Sequence, residues 1–468
     1  MKKDSRRLVF NKTPLILYLL ILPLFYAAIF STKSVSYDEW KQLLSNWRAR
    51  LGTRNVDNDV QEQEFQKFIF RSLVTGEDRT QLETTGFACN TAEHSEVCVT
   101  NKPVRIDTNT MTVHVLSDQP MPRGHRNVRP YARREDENTM NTITPVQILQ
   151  GNNITPPACN YTHNVPAAIF STSGFVGNLF HEFNEIIIPL FLTTYHFQSN
   201  LQFIVVDYKP YFVNKYNRIL AHLSPYEVIN PASNGSSVHC FTGMVVGLQF
   251  HNNLAINSSD LPEGYSMLDF KQFLREAYNL KVKSSVVSKI EQPVLVLISR
   301  KGSRMFLNED EMGGMMEELG FRVVVVTPNR MANLDKFASV VNSCSVMVGA
   351  HGAGLANEVF LPTGAVMVQV VPWGLEWASN AYFGEPAPGM GVKYMEYKIE
   401  AEESSLVDTY GRDHEVIVDV GAVFAKGYHA ARAVYVDGQN MKIDLVRFRK
   451  TLIEALRFLG QSSPTPTN

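Results

Sequence analysis

The hydrophobic and polar positions divide the chain into three regimes. The first is an apolar run over residues 14–30 that holds no charge. As a helix it would reach about 26 Å, short for a plasma membrane but adequate for a thinner early-secretory bilayer. Lys2, Lys3, Arg6, Arg7 and Lys12 precede it, opposed by Asp4 alone. The positive-inside rule then predicts a cytosolic tail at 1–13, an uncleaved signal-anchor at 14–32 and a lumenal remainder. A cleaved signal peptide would have a shorter apolar core and a small-x-small site, which Ala27, Ala28, Ile29 and Phe30 do not provide. The second regime, 33–84, is polar and reads as a stem, with 57–63 as a linker. Residues 118–145 are rich in Pro, Arg, Asp, Glu and Asn and read as a loop.

The third regime alternates strands and helices. Residues 167–171, 202–207 and 244–248 have strand character, separated by helical patterns that start near Asn178 and cover 211–223. Apolar residues at helical spacing follow over 268–280. After a polar segment at 281–292 the rhythm restarts. Strands are expected at 293–299, 322–327, 345–349 and 365–371, and the first is apolar without alternation, as a strand buried on both faces should be. Helical segments fall between them at 308–319, 334–341 and 355–360, and a last amphipathic helix covers 445–459. The pattern predicts two consecutive parallel α/β sheets, hence two Rossmann-like, doubly wound lobes facing a cleft. The first lobe is expected at 85–285, the second at 286–460, and a disordered tail at 461–468.

Composition narrows the function classes. The chain has 468 residues, 44% hydrophobic, with 44 basic against 46 acidic side chains. Such a chain can bury real cores, and a net charge of −2 excludes a surface built for nucleic acid. Five cysteines without a CxxC exclude a disulfide-scaffolded miniprotein and a zinc ribbon. In an oxidising lumen Cys89 can close a short loop with Cys98, and Cys159 a longer one with Cys240. Cys344 is then left as a buried thiol. Sequons at Asn153, Asn160, Asn234 and Asn257 agree with a lumenal domain.

Three segments carry candidate chemistry. His351, Gly352, Ala353 and Gly354 follow an apolar strand and open a helix, where glycines admit a close ligand and free N–H groups favour a diphosphate. Glu358, just beyond, has the chemistry to accept from a ribose, or is a solvated helix residue. Arg300 and Arg304 follow the 293–299 strand, at the end where parallel sheets bind ligands, and suit a diphosphate clamp. Asn178, His181, Glu182 and Glu185 recur at helical spacing, and His or Glu can take a proton from an acceptor hydroxyl. The spacing alone leaves the base open between Glu185 and His181, with Glu385 as an outside choice. The single Asp-x-Asp, Asp57 to Asp59, lies in the stem, and Asp207 has Lys209 two residues on. We therefore expect chemistry without an essential metal or other cofactor, the arginines stabilising the leaving group.

Together the Gly177–Phe183 motif, the segment from Ile298 to Glu311 and the segment from Val348 to Pro362 resemble family 61 glycosyltransferases, and the flanking sequence resembles the plant branch that decorates xylan. The resemblance covers roughly 85–460. It implies a Golgi enzyme of GT-B fold, inverting, that uses a UDP-pentose without an essential metal. Its motifs match at His181, Glu182, Arg300, Arg304, His351, Gly352, Gly354 and Glu358. The first expectation is arabinofuranosyl transfer from UDP-arabinofuranose to O-3 of xylan xylose. The alternatives are β-1,2-xylosyl transfer from UDP-xylose, a protein O-glycosyltransferase of the O-GlcNAc type, and a non-catalytic Golgi scaffold. Expected partners are the UDP-sugar, xylan or a xylo-oligosaccharide, the Golgi membrane through one helix, and a second copy or other Golgi transferases. Nucleic acid is not expected.

Overall fold

The computed structural model describes residues 58–116, 124–151, 155–233, 237–256, 258, 264–285, 292–328 and 333–460, with the backbone alone for 58–64. The expected tail and anchor, the stem up to residue 57, Asn153, Asn234, Asn257 and the segment 461–468 lie outside the described residues. Among the described residues no helix is long and apolar enough to cross a membrane. The described residues within 59–256 and 266–460 form one compact unit.

The C-terminal sheet is parallel throughout. Its order is Arg322–Val326, Val294–Ile298, Val346–Ala350, Val366–Val371, Lys393–Lys398. The three central strands are buried at every residue, which is why they read as unbroken apolar runs. The fifth strand, Lys393–Lys398, escaped the sequence reading because only Met395 and Tyr397 are buried in it. Helices Glu309–Glu318 and Leu445–Phe458 pack on this sheet through Met312, Met316, Phe448 and Leu452.

The N-terminal part departs from the expected single parallel sheet. One sheet has the order Phe87–Thr91, Glu96–Thr100, Met244–Val246, Ala167–Ser171, Gln202–Val206. Its last three strands are parallel, but the first two form an antiparallel hairpin along its edge. A second, mixed sheet of six strands includes Val104–Asp107, Thr112–Val115, Val146–Gln150 and Val238–Phe241. The two sheets share a core that includes Cys98, Ile106, Ile148, Ile169 and Ile204. These extra strands are short and half polar, so no apolar run announced them. Two further corrections follow from the same cause. The segment read as a loop at 118–145 contains the strand Gly124–Val128 and the turn Glu137–Met140. The segment read as a linker at 57–63 starts the helix Asn58–Ser72, held by the buried Ile69 and Phe70. The helix expected over 211–223 is two, Pro210–Lys215 and Asn217–Leu223, broken at Tyr216.

Both expected disulfides form. Cys89 and Cys98 face each other across the hairpin, and Cys159 ties to Cys240 across 81 residues. Cys344 is free and buried, and burial pushes its thiol up. Closing a loop restricts the unfolded chain more as the loop lengthens. Replacing Cys159 and Cys240 by serine should therefore cost about 4–5 kcal/mol, against about 3 kcal/mol for Cys89 and Cys98. Denaturant titration of the two double variants checks the order. Ellman's reagent should find no reactive thiol in the native protein and one after unfolding.

Candidate active site

The first wall of the site grows from the strand Ala167–Ser171. Past its carboxyl end Gly174 takes φ 64°, and a Cβ there would sit 2.6 Å from the Tyr131 ring. Glycine is required for the turn to close over Tyr131. Asn178 then caps a helix, accepting from the Phe180 N–H at 3.0 Å. The helix starts as Leu179–His181, winds as a π-helix over Glu182–Ile187 and continues as Ile188–Thr194. A single-turn π segment inside a longer helix re-aims side chains and frequently marks a functional site.

Here it separates two carboxylates that helical spacing had placed on one stripe. Glu185 is fully buried beneath His181. Its Oε1 lies 2.6 Å from His181 Nδ1 and accepts from Arg133 Nη1 at 3.0 Å. Its Oε2 accepts from the Tyr131 hydroxyl at 2.5 Å. His181 itself stays 20% exposed, with Phe175 stacked on its ring at 4.5 Å. Glu182 goes elsewhere. It accepts from Lys215 Nζ at 2.5 Å, the Tyr216 hydroxyl at 2.7 Å and the Gly177 N–H at 3.1 Å. Of the four residues singled out by spacing, Glu182 and Glu185 are buried, Asn178 is the exposed helix cap, and His181 keeps part of its ring exposed. Glu385 is exposed and accepts from Asn380.

Asp207 ends the strand Gln202–Val206 at φ 53°. Both its oxygens are occupied, by Ser171 Oγ at 2.7 Å and Thr144 Oγ1 at 2.6 Å. It holds the strand end together.

The second wall comes from the parallel sheet. Arg300 and His351 leave the carboxyl ends of neighbouring strands, Val294–Ile298 and Val346–Ala350. Arg304, in the left-handed region at φ 52°, donates from Nη1 to the His351 carbonyl at 2.9 Å. A Cβ on Gly352, at φ 149°, would meet Arg300 Nη1 at 2.4 Å and Arg304 Nη1 at 3.3 Å. The glycine is what lets two guanidinium groups converge on one turn. Among the described residues neither arginine forms an ion pair. Burial lowers Arg304 to about 10, helped by Arg300, and lowers Arg300 too; both remain cations at neutral pH. Arg304, buried, and Arg300, half-buried, flank the start of the 3₁₀ helix Ala353–Phe360, an arrangement suited to an anion.

His351 is held at its other side. Its Nδ1 lies 2.9 Å from the side-chain amide of Gln369, and the Tyr394 hydroxyl lies 2.8 Å from the far end of that amide. Burial, with Arg304 and Arg300 adding to it, pushes the imidazole down to about 3, so it is neutral. Glu358 presents no surface to the cleft: it is fully buried, and among the described residues neither oxygen has a hydrogen-bond partner. Burial raises it well above the usual carboxylate range, opposed by Lys271. Lys271, lowered by burial to about 7, donates to the Met390 carbonyl at 2.6 Å.

The two walls meet through rings. Phe180 packs on Tyr382 at 5.1 Å and on Phe383 at 5.7 Å, and His351 lies 5.6 Å from Phe383. A layer of aromatics thus separates the His181 imidazole from the anion site. Sequence reasoning missed Tyr131, Arg133, Gln369, Tyr394 and Lys271. Gln369, an amide inside the run Ala365–Val371, was the one visible signal, since a buried amide requires partners.

Comparison with known proteins identifies the family. The family model described as Glycosyltransferase 61 matches residues 178–368, from the cap of the His181 helix to the strand holding Gln369. An alpha-1,3-arabinosyltransferase of Oryza sativa subsp. japonica is 41% identical over 77% of this chain and 63% of its own length. A beta-1,2-xylosyltransferase of the same plant is 36% identical over 78% of this chain and 66% of its own. A xylan glycosyltransferase of Arabidopsis thaliana is 30% identical over 86% of this chain and 84% of its own. The chain thus spans somewhat under two thirds of each of these two rice relatives. With relatives of this identity and coverage, and motifs that the fold gathers into one site, the chain belongs to glycosyltransferase family 61.

Proposed function

We propose that the chain is an inverting glycosyltransferase of GT-B architecture that moves a pentose from a UDP-sugar to xylan, with α-1,3-arabinofuranosyl transfer as the first choice. The observation that carries the reading is the convergence at the Gly352 turn of buried Arg304 and half-buried Arg300, neither in an ion pair among the described residues, across an aromatic layer from an imidazole backed by a carboxylate. A diphosphate supplies the missing negative charge. Relatives named for arabinosyl and for xylosyl transfer both match this chain at similar identity, so beta-1,2-xylosyl transfer is the second reading. The expected anchor and the disulfides favour a Golgi enzyme with its catalytic part in the lumen.

In this mechanism His181 Nε2 takes the proton of an acceptor hydroxyl. The oxygen forms a bond to the anomeric carbon from the face opposite the leaving group. The bond from that carbon to the UDP oxygen breaks, and its electron pair goes to the diphosphate. Glu185, by accepting from Nδ1–H, keeps the Nε2 lone pair toward the cleft and stabilises the imidazolium that forms. Tyr131 and Arg133 hold Glu185 in place. Arg300, Arg304 and the Gly352 turn take the charge of the leaving group, so no metal is required. Glu182 serves to brace the helix on Lys215 and Tyr216.

The test is full-length protein with xylohexaose and a panel of UDP-sugars, with and without EDTA, read by mass spectrometry and linkage NMR. A pentose increment that survives EDTA is expected, and the linkage identifies the donor. A folded chain that neither binds UDP nor transfers any sugar would favour the scaffold reading. His181→Ala should lower kcat about 10²–10⁴-fold and leave UDP affinity unchanged. Arg300→Ala should instead weaken UDP binding by about tenfold or more. A fully active His181→Ala enzyme would rule out this imidazole as the base.

A further inference from the structure

The His351 imidazole is the end of a longer chain of polar groups. Tyr394 Oη lies 2.8 Å from the Gln369 amide and 3.0 Å from Glu396 Oε1, and Glu396 Oε2 lies 3.0 Å from Lys398 Nζ. Paired with an ammonium, Glu396 is an acceptor only. The Tyr394 hydroxyl has one proton to give, and an ionised carboxylate is the stronger acceptor. With that proton on Glu396, the tyrosine oxygen must receive a hydrogen bond from Gln369. The two ends of an amide occupy the same space, so its orientation follows from the bonds around it. As placed, Gln369 Nε2 faces His351 Nδ1 and Oε1 faces the Tyr394 hydroxyl; the network requires the amide turned over, with its NH₂ end toward Tyr394 and its carbonyl toward His351. A carbonyl opposite Nδ1 requires a proton on Nδ1. The second ring nitrogen, Nε2, is then bare.

The fold makes room for this chain at several places. Gln369 is fully buried within the strand Val366–Val371, beside Gly349 in the register. Gly384 lacks the Cβ that would sit 2.9 Å from the Tyr394 ring. A neutral imidazole with a bare nitrogen cannot donate to a phosphate, and Arg300 and Arg304 already serve that anion. It can accept from a hydroxyl.

We propose that Gln369, Tyr394 and Glu396 are positioning residues that hold the His351 proton on Nδ1, so that Nε2 accepts a hydrogen bond from a hydroxyl of the nucleotide sugar. This assigns His351 to reading hydroxyls rather than to clamping the diphosphate. The identity of the ligand rests on the transferase reading above; the tautomer does not.

Two measurements on the full-length chain test it. The first is the ring ¹⁵N spectrum of histidine-labelled protein, with His351 identified by its loss in His351→Phe. The proton should reside on Nδ1 in the native protein and be shared between the nitrogens in Tyr394→Phe. Glu396→Gln, which adds a donor, should move it toward Nε2. The second is the affinity for UDP, 2′-deoxy-UDP, UDP-xylose and its monodeoxy analogues. Tyr394→Phe should weaken ligands bearing the read hydroxyl about tenfold and leave unchanged the analogue that lacks it. The analogue that stays unchanged separates a ribose hydroxyl from one on the pentose. A native proton on Nε2, or an equal loss for every analogue, would overturn the proposal. If hydroxyl-dependent binding survives in a chain that transfers nothing, the transferase reading fails and this one stands.

Discussion

The site is organised by two positive charges that form no ion pair among the described residues. Arg304 is nine-tenths buried and gives one of its donors to the His351 carbonyl, and Arg300 lies beside it at the Gly352 turn. Burying a cation without a counter-ion opposes folding, and a second cation nearby adds to the cost. The fold tolerates the pair because the parallel sheet fixes both strand ends and removes the side chain at Gly352. The cost falls when an anion enters. The arrangement therefore couples ligand binding to the order of the turn, and it sets the geometry that the aromatic layer and His181 must meet.

The opposite wall solves a different problem, how to keep an imidazole oriented while leaving it in contact with solvent. Glu185 has no exposed surface, yet it accepts from a tyrosine and an arginine and lies against the His181 ring. Held on all sides, it cannot rotate away. Glu182, three positions earlier, is satisfied just as completely by a different set of donors. On a regular α-helix the two carboxylates would share a face. The π segment Glu182–Ile187 sends them to separate destinations, so one helix braces itself and orients its histidine at the same time.

What the sequence made legible follows from burial. The central parallel strands were visible because both faces are covered, whereas the edge strand Arg322–Val326 was visible only from its run of valines and stays half exposed. The GAHGAGL turn was visible because positive φ and close approach restrict it to glycine. The hairpin Phe87–Thr91 to Glu96–Thr100 and the second sheet were not, since their strands are short and half exposed. Site residues divided in the same way. Arg300, Arg304 and His351 sit beside their own motifs. Tyr131 and Arg133 come from a segment that reads as a loop and meet Glu185 only through tertiary packing, across 54 and 52 residues. Spacing along one helix could not tell Glu182 from Glu185, because the difference lies in residues far from both.

The same logic bears on donor choice. An anion site of guanidinium groups and a glycine turn would meet the same diphosphate on UDP-arabinose and on UDP-xylose, so it cannot separate one pentose from the other. Discrimination has to come from groups that bond individual hydroxyls, because leaving a buried polar group unpaired costs more than a missing apolar contact. Glu358, close to Lys271 but without a hydrogen bond, is too enclosed to supply it in this arrangement. His351 is placed to do so: it stands between the arginines and the aromatic layer, it is neutral, and its orientation is fixed from behind by Gln369. On that division the anion-facing arginines and a hydroxyl-reading His351 would be separable parts of one site, and a change of donor would need to alter only the second.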